Sequence, residues 1–140
     1  MAIVFIAFGS NSGNRRNYIS QALNSMEELG IELLQVSSFH ETEPVGGPSG
    51  QMKYLNGVAK VKTSLTPVLF LDRLQQIEKN LGRERSVPDA PRTIDLDILL
   101  YDDLKVQTDR LTIPHPRMWQ RTFVLNPLEE IAPEIVEGGP

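Results

Sequence analysis

The strongest constraint on the fold is the order in which the apolar period changes along the 140 residues of the chain. Ile3-Val-Phe-Ile-Ala-Phe8 is a short β-branched and aromatic run closed by Gly9-Ser-Asn-Ser-Gly-Asn14, which predicts a buried strand ending in a turn. From Arg15 the apolar residues Ile19, Ala22, Leu23, Met26 and Leu29 recur at helical steps, and Gly30 supplies the C-terminal stop. Residues 31–39 predict a second strand. Residues 41–51 hold two prolines and three glycines, a composition that excludes regular structure and predicts a loop with a task. Between 54 and 61, Leu55, Gly57, Ala59 and Val61 alternate with Asn56, Val58 and Lys60, the pattern of a half-buried antiparallel strand. Thr66 and Pro67 open a helix as cap and first residue, and Val68, Leu71, Leu74, Gln75, Ile77 and Glu78 continue it to Leu81-Gly82. A polar, proline-bearing connection at 83–91 precedes a strand at 93–101.

Strand, helix, strand, strand, helix, strand is the split βαβ order. It predicts an α+β, ferredoxin-like βαββαβ antiparallel sheet with both helices on one face. Downstream, the prolines of residues 111–121 together with Pro127 and Pro133 predict an irregular C-terminal extension along one sheet edge. At roughly 100–200 residues per domain, residues 1–140 make a single domain.

Composition removes several function classes. The chain lacks cysteine, so disulfides, thiolate metal sites and thiol nucleophiles are absent and a cytoplasmic setting is expected. The longest apolar run, Ile3 to Phe8, is too short to cross a bilayer. A formal charge of −4 argues against sequence-independent nucleic-acid binding. That surplus is local: Glu129, Glu130, Glu134 and Glu137 supply it, and residues 1–125 are balanced.

The sharpest chemical feature is Arg92-Thr-Ile-Asp95-Leu-Asp97-Ile-Leu-Leu-Tyr101. A side-chain period of two sends Asp95 and Asp97 to one face and Ile94, Leu96 and Ile98 to the other. Aspartate is a poor strand former, and two adjacent carboxylates repel unless they share a cation. All-oxygen ligation suits Mg²⁺, which completes its shell with water and substrate phosphates. A bare Asp-x-Asp is also compatible with a hydrated edge strand, but Arg83, Arg85, Arg92, Arg110 and Arg121 gather around this one. Guanidinium groups match phosphate oxygens in a bidentate fork. His115, between two prolines, is either a phosphate donor, an acid/base group or structural. Gly9–Asn14 lacks the Gly-Lys-Ser/Thr ending of a phosphate loop, which leaves a tight turn and a helix cap. Tyr54, Trp119 and Phe123 are either core pieces or stacking surfaces.

Gly9-Ser-Asn11, Thr42-Glu-Pro44, Tyr54-Leu-Asn56, Glu78 with Gly82-Arg-Glu-Arg85, Pro91-Arg-Thr-Ile-Asp-Leu-Asp97 and Leu111-Thr-Ile-Pro-His115 together resemble the 6-hydroxymethyl-7,8-dihydropterin pyrophosphokinase family. The resemblance implies a ferredoxin-like fold and transfer of the β,γ-pyrophosphoryl group of MgATP to a pterin hydroxyl, releasing AMP, in folate biosynthesis. Matching positions imply that Asp95 and Asp97 hold two Mg²⁺ ions. Arg83, Arg92, His115 and Arg121 would contact the triphosphate, and Arg85 would move in with its loop. Glu78, Ile98, Arg110 and Thr112 would sit near the nucleoside. Thr42, Pro44, Val45 and Asn56 would meet the pterin, with Tyr54 and Phe123 flanking its plane. Arg83, Arg92, Asp95 and Asp97 are the catalytic candidates. A monomer acting on two small molecules, ATP and the pterin, is expected, with neither nucleic acid nor membrane as partner. The rivals are another Mg²⁺-dependent nucleotide enzyme and a catalytically silent ferredoxin-like module that binds nucleotide or pterin.

Overall fold

The computed structural model describes residues 1–43, 50–82 and 93–140. Strand β1, Ala2–Ser10, is followed by helix α1, Arg15–Glu28, strands β2, Ile31–Val36, β3, His40–Thr42, and β4, Tyr54–Thr63, helix α2, Pro67–Asn80, and strand β5, Asp95–Tyr101. The main sheet runs β2-β4-β1-β5, and every neighbouring pair is antiparallel. Two split βαβ units therefore interleave: β1-α1-β2 leaves room for β4, and β4-α2-β5 leaves room for β1. This is the ferredoxin-like arrangement expected from the element order.

Local chemistry explains each junction. The Asn14 side chain accepts a hydrogen bond from the Asn17 amide at 3.1 Å and caps α1, so the Gly9–Asn14 segment is the turn and cap that its composition predicts. Ile19, Ala22, Leu23 and Met26 of α1 are buried as their spacing requires. Thr66 caps α2 and Pro67 occupies its first turn. The buried stripe of α2 differs from the expected one. Phe70, Leu74, Ile77 and Glu78 face the sheet, and Val68 is exposed, because the 70/74/77/78 spacing presents the larger apolar surface to the sheet.

The predicted strand at 31–39 is two strands. β2 pairs with residues 59–63 of β4 and β3 with residues 54–56, and Ser37 bridges the gap between them. The Ser37 amide donates to Val58 O and its hydroxyl accepts from the Val58 amide, both at 2.9 Å.

The C-terminal extension departs most from expectation. After a short β6–β7 ribbon, Val106–Gln107 and Thr112–Ile113, and a 3₁₀ turn at Met118–Gln120, the chain forms helix α3, Thr122–Ile131, and helix α4, Pro133–Gly138. Pro133 stands in the first turn of α4, where a missing N–H costs nothing, and Pro127 lies buried inside α3. The tail is helical, and it covers the second face of the sheet. One core, built on Val4, Ile6 and Phe8 of β1, lies under α1 and α2. The other joins Phe5, Val58 and Leu99 to Met118, Val124, Leu128 and Ala132. Helices thus occupy both faces, and Leu55 to Ala59 of β4 are buried on both sides instead of alternating.

Candidate active site

The cavity lies on the α3 face of the sheet, where that helix leaves the strands uncovered. β1 sets its floor. Residues Ile3, Phe5, Ala7 and Gly9 point to this face, and from Phe5 through Ala7 to Gly9 they shrink, so bulk that packs against α3 gives way to open space. Register places Gly9 between Asp95 of β5 and Asn56 of β4, and Ala7 between Asp97 and Val58. With strands about 4.8 Å apart, Asp95 and Asn56 stand roughly 10 Å from each other across a glycine. A Cβ added to Gly9 would lie 2.8 Å from Asn56 Oδ1.

The resulting cavity has a volume of about 150 Å³, and Thr42, Tyr54, Asn56, Asp95, Asp97, His115, Arg121 and Phe123 all line it. One end is carboxylate-rich, as period two predicts: Asp95 is half-buried and Asp97 exposed, on the face opposite Leu96 and Ile98. Asn56 Nδ2 donates to Thr42 Oγ1 at 2.6 Å, which fixes the amide and turns its oxygen toward Gly9. Arg121 stacks over the Phe123 ring, 5.4 Å from its centre.

His115 is placed by a bulge. The pairing of β1 with β5 shifts between Phe5 and Ile6, leaving Leu99 as the extra residue. The Leu99 carbonyl accepts from the His115 amide at 2.9 Å. The Arg117 amide donates to His115 Nδ1 at 3.2 Å, so the proton of the neutral ring sits on Nε2. Burial holds the imidazole below its ordinary pKa; Asp97 opposes that shift, and Arg121 and Arg117 reinforce it.

Other expected site residues lie elsewhere. Glu78 is buried on α2, and its carboxylate accepts from the Leu96 amide at 2.9 Å, tying the helix to the outer edge of β5. The Ile98 side chain is in the α1/α2 core. Arg110 docks on α2 through Asp72 at 2.7 Å and Gln75 at 3.1 Å, and Thr112 is on β7 beside β5. These four lie on β5 or beside it, outside the cavity lining. Trp119 packs in the second core and is no stacking surface here. Pro44, Val45, Arg83, Arg85 and Arg92 lie outside the described residues. Among the described residues, no three His, Cys, Asp or Glu side chains converge on a metal position, and no helix is long and apolar enough to cross a membrane. Ala7, Gly9 and Glu43 also line the cavity, and the Phe5-Ala7-Gly9 taper on odd positions of β1 is the signal by which the first two are legible.

A ferredoxin-like α+β domain with a carboxylate pair and an arginine-histidine pair around one cavity defines a class of phosphoryl-group transferases acting on small molecules. The family model for 7,8-dihydro-6-hydroxymethylpterin-pyrophosphokinase matches residues 5–133, and the chain belongs to that family. Its activity is accordingly that of an ATP-dependent pyrophosphokinase in folate biosynthesis. The chain is 46% identical over 134 residues to the 2-amino-4-hydroxy-6-hydroxymethyldihydropteridine pyrophosphokinase of Bacillus subtilis (strain 168), covering 95% of this chain and 80% of that protein. It is 41% identical over 135 residues to the folic acid synthesis protein fol1 of Schizosaccharomyces pombe, 96% of this chain but only 18% of that longer protein. A solved structure of Plasmodium falciparum HPPK-DHPS shares the fold, with a TM-score of 0.70 at 16% identity over 96% of this chain and 40% of that one.

Proposed function

We propose that this cavity is where the two substrates meet, with the polyphosphate of ATP at the Asp95, Asp97, His115 and Arg121 end and the pterin at the Asn56, Thr42, Tyr54 and Phe123 end. The pterin hydroxyl attacks the β-phosphorus in line, its proton leaves, the bond to the α-phosphate oxygen breaks, and AMP and the pterin diphosphate are the products. The observation that carries this reading is the row Asp95–Gly9–Asn56, a carboxylate able to hold a cation and an amide able to meet a heterocycle edge on one floor, with only a glycine between them.

Each end suits its ligand. A flat heterocycle with a polar rim needs edge hydrogen bonds and stacking, which Asn56 and the aromatic pair Tyr54 and Phe123 supply. A neutral His115 donates from Nε2 to a phosphate oxygen, and Arg121 offers its planar fork once it leaves the Phe123 ring. Arg83 and Arg92 act with them as catalytic residues, and Arg85 joins them on the triphosphate. Pro44 and Val45 complete the pterin contacts. The donor set fits two Mg²⁺ ions, since this metal takes one or two carboxylates and leaves its other positions to water and phosphate. When bound at Asp95 and Asp97, they neutralise charge on the phosphate oxygens. The nucleoside extends past the outer edge of β5. There Arg110 and Thr112 flank it, Glu78 anchors the edge through Leu96, and Ile98 offers backbone two residues further on. The chain acts as one domain, residues 1–140, monomeric and cytoplasmic.

The test is product analysis. Pterin-dependent release of AMP, abolished by chelation and by Asp97→Asn, is the expected result, with His115→Ala retaining activity because no protein base is obligatory. Release of ADP or of pyrophosphate in place of AMP, or loss in His115→Ala with activity retained in Asp97→Asn, rejects the reading. Co-binding of pterin and a non-hydrolysable MgATP analogue without turnover would identify a silent module.

A further inference from the structure

β3 is the weakest part of the cavity wall. It has three residues, pairs among the described residues with β4 alone and lies off the main strand order, yet it carries Thr42, which fixes the Asn56 amide. Its approach segment is gripped by one carboxylate from α3. Glu130 Oε2 accepts from the Ser38 amide at 2.6 Å, and its Oε1 accepts from the Ser38 hydroxyl at 2.6 Å and meets His40 Nε2 at 3.1 Å. The Ser38 hydroxyl also lies 3.2 Å from His40 Nε2. These contacts keep the Glu130 carboxyl below its ordinary pKa, the Ser38 hydroxyl first among them, so the group is ionised across the neutral range.

Helix α3 also carries Phe123, seven residues and two turns before Glu130, roughly 10 Å along the axis. One helix therefore presents an aromatic ring to the cavity at its start and holds the β3 wall near its end. We infer that Glu130, which does not line the cavity, is a positioning residue for the pterin: through Ser38 and His40 it sets the place of Thr42 and Asn56 relative to Phe123. Errors of about 1 Å in such placement cost up to about a hundredfold in rate, so a tie of this kind is felt at a distance.

This inference rests on the proposed pterin position, and the experiment separates the two. Steady-state kinetics and thermal melts are measured for Glu130→Ala, Glu130→Gln and Asn56→Ala, varying pterin and ATP separately. Glu130→Ala is expected to raise the pterin KM about tenfold and leave the ATP KM within about twofold, the signature of a changed pterin subsite. Glu130→Gln is expected to recover most of the loss, because its amide oxygen accepts from the Ser38 amide and its NH₂ donates to the Ser38 hydroxyl. An unmoved pterin KM in Glu130→Ala, or equal rises in both KM values, overturns the inference, whatever the melting temperature does. Asn56→Ala with an unchanged pterin KM would reject the pterin position itself, whereas a raised value there beside a silent Glu130→Ala would reject the tie alone.

Discussion

Gly9 shows how much one missing side chain decides. Its backbone is ordinary strand, so an alanine there strains nothing; the added methyl meets Asn56 Oδ1 at 2.8 Å and pushes the amide aside. Gly9→Ala is expected to lower the melting temperature by a few degrees, because the buried Asn56 amide is pushed off its bond to Thr42, and to lower kcat/KM for the pterin by about tenfold, read from steady-state kinetics beside a thermal melt. A second residue-scale expectation concerns His115. Its folded pKa lies below the ordinary 6.5, so native protein binds this proton less readily than unfolded chain. Its contribution to stability is complete above 6.5 and is lost as pH falls from 6.5 through the folded value. An NMR titration of the imidazole should place the midpoint below 6.5, and a midpoint above it would refute the burial assigned here. That Asp95 and Asp97 share one face was readable from the period of the strand; that the face is a candidate site took the arginines around it. His115 was readable as a candidate only, since its place depends on the Leu99 bulge, which leaves no mark in a run of Ile-Leu-Leu.

At the scale of elements, the existence and order of β1, α1, β4, α2 and β5 were legible, and the second covering of the sheet by α3 was not. The α1 stripe follows its spacing because only one side meets the sheet. β4 reads as alternating, yet it is buried on both faces through Leu55–Ala59 once α3 lies over it. Pro127 hid α3: a proline inside a helix removes one backbone hydrogen bond, and the burial of Val124, Pro127 and Leu128 offsets that loss. Leu128 is fully buried in the second core. Leu128→Ala should cost about 2–5 kcal/mol in urea unfolding, and because α3 carries Phe123, residual activity should fall more than for an equally destabilising Leu74→Ala under α2. Equal activity in the two variants at equal stability would show that α3 is a prop and no part of the site.

For the whole molecule, the order of elements was enough to specify the interleaved sheet, because two right-handed βαβ crossovers with adjacent middle strands have few ways to close. The order does not say which face remains for a ligand. That depended on the last segment of the chain, where composition suggested irregularity and packing imposed helices. Arg121 and Phe123 are held at the cavity by the same segment whose Val124 and Leu128 pack on the sheet. The packing that hides Phe5, Val58 and Leu99 from solvent therefore also completes the candidate site, so a change that loosens α3 uncovers apolar surface and dismantles the cavity in one event.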